Sequence, residues 1–551
     1  MEYRWFKSGS PWVWLTAGSV SVSLLSVLGL LLFIGWKGLS YFWPSPLYHW
    51  TTNQGESIVG QLYAHESVSI SHLKQMEVDL PSEIEEKGDI ERLQIKIANR
   101  DIYPADFVSV IARDLIKPST PEAWAVIERT QNGDFYGMPK SYYTQTGQIK
   151  ATPDIHETIS QALTFANEQR LNIERLVEKQ IRVISAQFSR LKFEKKKRQM
   201  NGRLDNDFLE RYDSQSRIFR QQLTDMEARL DELRSELQQQ GLIVEDMKGN
   251  DYRIPLSEML DVWYPNQMSF LDKVQHWFHQ VGKFLTSEPR ESNSEGGVFP
   301  AIFGTVLLVL IMSIIVMPLG VIAAIYLHEY AKNNTLTRLI RVAVINLAGV
   351  PSIVYGVFGL GFFVYTLGGS IDNLFYSEKL PAPTFGTPGL LWSALTLAVL
   401  TLPVVIVSTE EGLMRIPNSA RHGSLALGAT QFETMWRIVL PMASPAIITG
   451  LILAVARAAG EVAPLMLVGA VKLASSLPFD SQFPFLHLDR KFMHLGFHIY
   501  DIGFQTTNIE SARPLVYATS FLLVCVIIGL NLTAISIRNN LREKYRILGQ
   551  D

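Results

Sequence analysis

The chain has 551 residues, of which 47% are hydrophobic and 19% are charged, and its formal net charge is −3. This balance gives no indication of nucleic-acid binding, which requires a concentrated basic surface. The single cysteine, Cys525, excludes an intrachain disulfide. Residues 44–296 are polar and charged, whereas long apolar runs dominate from 298 onward. The two parts therefore have to be interpreted separately.

The N-terminal segment 1–43 predicts a membrane anchor. Its residues 12–36 form an apolar run that follows Arg4 and Lys7 and is long enough to cross a bilayer. No small-residue cleavage site follows the run, so we predict an uncleaved helix rather than a secretory signal peptide.

The segment 44–296 predicts an inserted region with mixed structure. Within an α+β part, 44–154, residues 93–97 and 124–127 have strand patterns, and Asn132-Gly133 is a hairpin turn signal. An amphipathic helix is predicted within 264–286, lying on the outer leaflet or packing on the spans. We favour the first because the next apolar run begins about a dozen residues later.

Residues 155–241 predict an antiparallel coiled-coil hairpin. Apolar residues recur three and four positions apart along two arms, and Gly202 lies in the charged bend between them. The four consecutive basic residues 195–198 predict a solvated hairpin tip, with contact to anionic lipid headgroups as the alternative.

The C-terminal part, 297–551, predicts a transmembrane domain. With the N-terminal anchor, the apolar runs give a mainly α, polytopic membrane protein with about six transmembrane helices. The predicted spans are 12–36, 299–327, 338–367, 388–408, 442–469 and 514–537.

Basic residues predict the orientation of these spans. They lie before the first predicted span, between the second and third spans, between the fourth and fifth spans, and after the sixth span. They are Arg4, Lys7, Lys332, Arg338, Arg341, Arg415, Arg421, Arg437, Arg538, Arg542, Lys544 and Arg546. Because basic loops stay in the cytoplasm, both termini are predicted inside and 44–296 outside. The predicted outer loop 471–513 fits less well, since it also carries four basic residues.

The segment between runs four and five carries a spaced motif. Gly428 is followed, after nine residues, by the sequence from Ile438 to Pro441. The spacing resembles the EAA loop of bacterial ABC importer permeases (EAA, three residues, Gly, nine residues, I-x-L-P). In that family the loop forms a coupling helix in a groove of the ATPase subunit. The resemblance implies an ATPase-coupling site at Leu427, Gly428, Ala429, Ile438, Leu440 and Pro441. The EAA position here holds His422-Gly423-Ser424, so the glutamate of the motif is missing.

Longer stretches of sequence indicate which group of importer permeases this chain resembles. Residues 304–331, 348–356, 408–430 and 456–470 are similar to the A-type permease subunit of bacterial high-affinity phosphate (Pst) importers. The similarity covers about 284–540 and the first run, and the large insert resembles that of longer members.

This resemblance implies a type I ABC importer permease in the bacterial inner membrane, in contact with membrane lipid. The implied partners are a second, C-type permease subunit as heterodimer, two ATPase subunits that carry ATP and Mg, and a periplasmic phosphate-binding protein. Many members carry an arginine near the end of span four, where this chain has Val407. The partner permease would have to supply that arginine.

Arg457 and Glu461 are the principal candidates for the substrate path. Gly450, Ala454, Arg457, Glu461 and Pro464 share one face if run five is a continuous helix. A guanidinium matches the acceptor oxygens of phosphate and stays charged, so we predict that Arg457 contacts phosphate and that Glu461 is its resting partner. The alternative is a purely structural ion pair. Ser352 and Tyr355, hydroxyl donors at a possible helix break, are weaker candidates.

Several motifs are absent from the sequence. There is no P-loop, so we predict that this chain has no catalytic residues and hydrolyses no ATP itself. There is no HExxH motif and no Cys/His cluster, so we predict no metal and no cofactor on this chain. His328-Glu329-Tyr330 lies at a span end and is interpreted as interfacial.

Two other functions remain open. One is a permease for a different oxyanion. The other is a membrane-anchored structural or signalling protein whose hairpin is the working part. Six spans and an intramembrane Arg/Glu pair disfavour the second, since a single span suffices for anchoring.

Overall fold

The computed structural model describes residues 9–69, 89–144, 149–150, 155–290, 295–332, 334–480, 482–506 and 509–547. The chain divides into two compact units. The membrane unit comprises Met1–Tyr41 and Phe284–Asp551, and the inserted unit comprises Phe42–Lys283. The segment after Lys283 belongs to the membrane unit, where a backbone hydrogen bond joins it to the beginning of span two. The Val298 amide donates to the Phe284 carbonyl oxygen at 2.8 Å, and Phe284 is buried.

The part of the chain that the structure describes contains six helices long and apolar enough to cross a membrane, which confirms the predicted number. Spans one to six are Trp12–Ser40, Phe299–Tyr330, Ser352–Phe375, Leu390–Met414, Gln431–Gly460 and Ala512–Asn540. The shorter helices of this unit are Thr335–Leu347, Asn418–Ala426, Ala463–Val468 and Leu495–Phe504. π-helical turns occur at Tyr326–Tyr330, Gly359–Gly368 and Met435–Val439.

The predicted third span, 338–367, is wrong at its beginning. A separate helix of 13 residues, Thr335–Leu347, ends before the turn that leads into span three. At about 1.5 Å per residue this helix is too short to cross a bilayer. The break has a local cause: Pro351 has no amide hydrogen, and its ring disfavours helical geometry at the preceding residue.

The predicted fifth span, 442–469, is wrong at both ends. The helix begins at Gln431 and ends at Gly460. Glu461 is extended, with φ −81° and ψ 125°, and the short helix Ala463–Val468 follows. Pro464 accounts for the break, because it cannot donate to the carbonyl of Gly460 four residues earlier and its ring would clash with that carbonyl.

Small residues bring the spans of the membrane unit close together. A Cβ atom at Gly320 of span two would come 2.6 Å from a Val405 methyl carbon of span four. Gly412 of span four lies against Ala446 of span five in the same way. Close backbone approach is the usual means of helix association in lipid, where burial of apolar surface gives little driving force. Around these contacts spans two, four and five share the largest apolar core of the membrane unit, which includes Leu308, Met312, Leu397, Val405, Ala454 and Ala458.

Span one packs along the helix of span six. A Cβ atom at Gly38 would lie 2.7 Å from the backbone of Ala518. The rings of Phe33 and Tyr517 meet edge to face, with centroids 6.2 Å apart. The N-terminal helix is thus attached to the membrane unit by specific contacts.

The inserted unit contains two antiparallel sheets. The first has the strands Tyr48–Thr51, Ser57–Ser69, Asp89–Lys96 and Phe107–Ile111 in that order. The second orders its strands as Met259–Trp263, Ala125–Arg129, Phe135–Tyr143, Gly241–Glu245 and Asp251–Pro255, with Ile149–Lys150 pairing beside Phe135–Tyr143.

Two sequence-based expectations for these sheets are confirmed. Residues 93–97 fall largely within the strand Asp89–Lys96, and 124–127 begin the strand Ala125–Arg129. Asn132 and Gly133 both have positive φ, 62° and 69°, and lie in the turn that connects the antiparallel strands Ala125–Arg129 and Phe135–Tyr143.

Two long helical arms rise from the second sheet. The first runs through Ile155–Leu176, a π-turn at Val177–Ile181 and Arg182–Met200, and the second is Asn206–Gln238. The turn between them contains Gly202 at φ 64°, and the Asp205 side chain accepts a hydrogen bond from the Phe208 amide. Phe188 and Phe219 meet across the arms, with ring centroids 6.1 Å apart. At the base of the arms, Ile159, Ala166 and Leu237 join the core of the sheet.

The helix Phe270–Thr286 has an apolar side that the inserted unit does not cover. Phe270, Leu271 and Phe278 are exposed. On the opposite side, Lys283 pairs with Glu128 at 2.5 Å and the His276 ring lies 4.7 Å from Trp263. Burial lowers the pKa of His276 to about 4.

Candidate functional site

Arg457 and Glu461 pair at the point where span five ends. The Arg457 Nε atom lies 3.4 Å from the Glu461 Oε1 atom. They are not one turn apart on a continuous helix, as the sequence predicts, because Glu461 is the first non-helical residue. The pair therefore bridges the last turn of span five and the break before the helix Ala463–Val468.

The pair lies at the edge of the buried face of span five. The side chains of Arg457 and Glu461 are 31% and 20% exposed, whereas Ala454 and Ala458 beside them are fully buried. The prediction that Arg457 shares the buried face of Gly450 and Ala454 is thus only partly correct.

Span three packs directly on the break. Gly356 lies against Pro464, where a Cβ atom would come 2.7 Å from the Pro464 Cα atom. This packing brings Tyr355 within electrostatic range of Arg457. The Tyr355 hydroxyl donates to the Leu347 carbonyl oxygen at 2.7 Å. Its donor is therefore engaged in holding the turn before span three.

The other two positions that the sequence singles out in this region are Ser352 and Val407. Ser352 is half-buried and is the first residue of span three. Val407, which stands where many similar permeases have arginine, is half-buried in span four. Its neighbour Ser408 donates to the Ala446 carbonyl oxygen at 3.0 Å and lies against Gly450, which fixes the approach of spans four and five.

The loop between spans four and five, residues 415–430, is called the connecting loop below. Its helix Asn418–Ala426 ends at Leu427, and Gly428 follows with φ 90°. Thr430 and Glu433 form a capping box that begins the next helix. The Ser424 hydroxyl of the connecting loop and the Thr434 hydroxyl in the first turn of span five are buried and 2.8 Å apart. The helix of the connecting loop is therefore held against the beginning of span five.

The six predicted coupling residues fall into two groups. Leu427, Gly428 and Ala429 form the turn, and Leu427 is 91% exposed. Ile438, Leu440 and Pro441 are half-buried within span five. They lie next to an apolar cluster that joins spans two, four and five and contains Leu413, Ile416, Met435, Val439, Ala443 and Ile447. The turn thus exposes the apolar side chain of Leu427, whereas the three span-five residues pack within the membrane unit.

Two arginine contacts were missed by the sequence analysis. Arg421 Nη2 of the connecting loop lies 2.9 Å from Glu329 Oε1 at the end of span two, and His328 Nδ1 lies 3.1 Å from the same oxygen. Arg341 Nη2 lies 3.2 Å from Glu410 Oε1 near the end of span four. The charges are visible in the sequence at the ends of apolar runs, but their partners are far away along the chain.

A buried polar cluster outside the spans was also missed. His494, His498 and Asp501 are buried on or just before the helix Leu495–Phe504, and Lys472 Nζ lies 3.2 Å from Asp501 Oδ2. Burial lowers the pKa of both histidines to about 4. Their spacing of four and three residues was the available signal. Among the residues described, no group of three or more His, Cys, Asp or Glu side chains is placed to hold a metal ion.

Comparisons with known proteins match the membrane unit. The family described as "binding-protein-dependent transport system inner membrane component" matches residues 316–547. The chain is 31% identical over 257 residues to the "probable ABC transporter permease protein YqgI" of Bacillus subtilis, a match that covers 46% of this chain and 81% of that protein.

Two further similarities concern a curated protein and a solved structure. The chain is 31% identical over 286 residues to the "phosphate transport system permease protein PstA" of Mycobacterium leprae, covering 52% of this chain and 83% of that protein. The inward-facing MetNI methionine ABC transporter is 20% identical, with 44% of this chain and 94% of that chain covered and a TM-score of 0.32.

Proposed function

This chain belongs to the family of binding-protein-dependent transport system inner membrane components, and we propose on that basis that it is the membrane-spanning permease subunit of an ATP-driven phosphate importer. The proposal that the substrate is phosphate rests on the similarity to permeases named for phosphate transport. The relative from Mycobacterium leprae is 31% identical over a match that covers 83% of its length. The chain is a transport subunit rather than an enzyme.

The Arg457–Glu461 pair supports an anionic substrate. An arginine at the centre of a span costs roughly 2.5–3.5 kcal/mol on insertion scales and one near a span end costs less, and charges within spans usually face protein or a polar path. Its guanidinium offers several donors to phosphate oxygens and keeps its charge at physiological pH. We propose that phosphate displaces Glu461 from Arg457 as it passes, and that Glu461 returns when the path is empty. The carboxylate thereby weakens the hold on the anion enough for release.

We propose that both termini are cytoplasmic and that segment 44–296 is periplasmic, in a multi-pass protein of the bacterial inner membrane. The basic residues that flank the spans support this orientation. The connecting loop, with Arg415 and Arg421, then faces the cytoplasm. Its exposed turn at Leu427 is available to a cytoplasmic partner.

The proposed partners follow from the subunit's role. A periplasmic phosphate-binding protein delivers the anion, and a second, C-type permease subunit completes the path. Two ATPase subunits carry ATP and Mg and grip the connecting loops. The contacts of the loop helix with spans two, four and five support this role, because they connect a displacement of the loop to the membrane helices. Closure of the ATPase pair draws the loops together and switches access to the path.

An uptake experiment tests the proposal. The complex is purified from membranes, its subunits are identified, and it is placed in lipid vesicles with its binding protein. Labelled phosphate should enter only with ATP, and excess unlabelled phosphate should compete more strongly than molybdate or a phosphonate. Entry without ATP or without an ATPase subunit would contradict the ATP-driven mechanism, absence of entry with ATP would contradict the transport role, and stronger competition by another oxyanion would contradict the substrate.

A further inference from the structure

Arg421 of the connecting loop contacts the ends of two spans. Its Nη2 atom lies 2.9 Å from Glu329 Oε1 of span two and donates to the Leu413 carbonyl oxygen of span four at 2.8 Å. The side chains of Arg421 and Glu329 are only 16% and 21% exposed, so solvent and salt screen their attraction weakly. A cation beside the last carbonyls of span four also complements the dipole of that helix. Arg421 thus attaches the helix Asn418–Ala426 to spans two and four at once.

Arg341 makes a second bridge of the same kind. Its Nη2 atom donates to the Leu327 carbonyl oxygen of span two at 2.7 Å and lies 3.2 Å from Glu410 Oε1 of span four. Spans two and four are therefore cross-linked by polar contacts as well as by the packing of Gly320 on Val405.

The covalent chain connects the loop only to spans four and five. Span two has no such connection, although it contributes to the apolar cluster beneath the loop through Met317, Val321 and Ile325. The Glu329–Arg421 ion pair adds a directional, charge-assisted contact between the loop and span two to this apolar packing. Glu329 lies in the π-helical turn Tyr326–Tyr330, a local departure from α-helix of the kind that often occurs at functional positions.

We propose that the Glu329–Arg421 ion pair transmits movement of the connecting loop to span two, so that spans two, four and five respond together to the ATPase. The inference rests on the proposed function. Neither residue contacts substrate, and both act by positioning. The pair also supplies an acidic contact for the loop, which has His422-Gly423-Ser424 where the related motif has a glutamate.

The test measures phosphate imported per ATP hydrolysed by the complete complex in lipid vesicles. Glu329→Gln and Arg421→Gln should each lower this ratio about fivefold or more, the usual lower range for coupling between sites. The double variant Glu329→Gln/Arg421→Gln should be no worse than the poorer single variant, because both remove the same interaction. Arg338→Gln and Glu411→Gln remove exposed charges near the same ends and should leave the ratio unchanged.

A structural role gives a different pattern. If the pair only stabilises the fold, the variants yield less assembled complex while the complex that remains imports phosphate at the normal ratio. Co-purification of the ATPase subunit measures assembly independently. Arg421→Lys keeps the charge and should recover most of the ratio that Arg421→Gln loses.

Three results would overturn the inference. They are a normal ratio in Glu329→Gln, additive losses in the double variant, and failure of both Glu329→Gln and Arg421→Lys to assemble. An error in the proposed substrate is recognised separately, because the wild-type complex would then not import phosphate. The ratio would in that case be measured with the anion that the wild-type complex imports.

Discussion

Gly356 of span three lies directly against Pro464, so close that a Cβ atom at position 356 would come 2.7 Å from the Pro464 Cα atom. The backbone atoms of Pro464 cannot move aside as a flexible side chain would. Since Pro464 follows the break that contains Glu461, this contact fixes the distance between span three and the Arg457–Glu461 pair.

Substitution of Gly356 by alanine should therefore impair transport. The added methyl group must push the helix Ala463–Val468 away from span three, at a cost of about 1–3 kcal/mol for overpacking. We expect phosphate uptake to fall while insertion of the spans persists. Gly361→Ala is the matched control, since nothing lies within 4 Å of a Cβ atom there. Equal uptake by the two variants would show that the contact has no functional role.

Gly428→Ala should uncouple ATP hydrolysis from transport. Gly428 has φ 90°, a conformation that costs an alanine roughly 1–2 kcal/mol, so the turn of the connecting loop must deform. The expected result is ATPase activity that no longer depends on phosphate delivery, together with reduced uptake. Gly423→Ala lies within the helix Asn418–Ala426 with open space around it, and it should be neutral or slightly stabilising. Normal phosphate-dependent ATPase activity in Gly428→Ala would argue against the coupling role of this turn.

The buried histidines predict a loss of stability in acid. Burial lowers the pKa of His498 from an ordinary 6.5 to about 4, and that of His494 likewise. Between these pH values the unfolded chain binds protons that the folded protein excludes. The contribution of these histidines to the free energy of unfolding is therefore fully present above pH 6.5. It is lost as the pH decreases toward 4, by up to about 1.4 kcal/mol per pH unit for each histidine.

Thermal unfolding of the purified complex between pH 7.5 and 5 measures this effect. His498→Gln should reduce the slope of melting temperature against pH, because glutamine does not titrate in this range. An unchanged slope in His498→Gln would show that this histidine is protonated without cost in the folded state.

The sequence predicts which segments enter the membrane better than where helices break. Mean apolarity over about 20 residues determines membrane residence, and it predicts the number of spans, six, correctly. Pro351 and Pro464 are visible in the sequence, yet a proline within an apolar run is compatible with either a kink or a full break. The packing of span three on Pro464 is what the sequence does not reveal.

Polar contacts between residues that are close along the chain are likewise easier to predict than contacts between distant segments. The Asn132-Gly133 turn was predicted because its geometry is determined by two adjacent residues. The Arg457–Glu461 pair was predicted because the two residues are close along the chain, although the helix between them ends earlier than expected. The contact of Arg421 with Glu329 joins distant segments, and no local pattern of charge identifies its partner.

We propose that Arg457 contacts phosphate on its way through the membrane. Uptake of labelled phosphate by complexes that carry Arg457→Gln, with assembly measured by co-purification of the ATPase subunit, tests it most directly. We expect the Gln complex to assemble but to import less than about a tenth as much phosphate as the wild type, since one charge-assisted contact with an anion is worth roughly 1.5–3 kcal/mol. Arg457→Lys should retain an intermediate rate, because it keeps the charge and loses the planar fork. Normal uptake by an assembled Arg457→Gln complex would contradict the account.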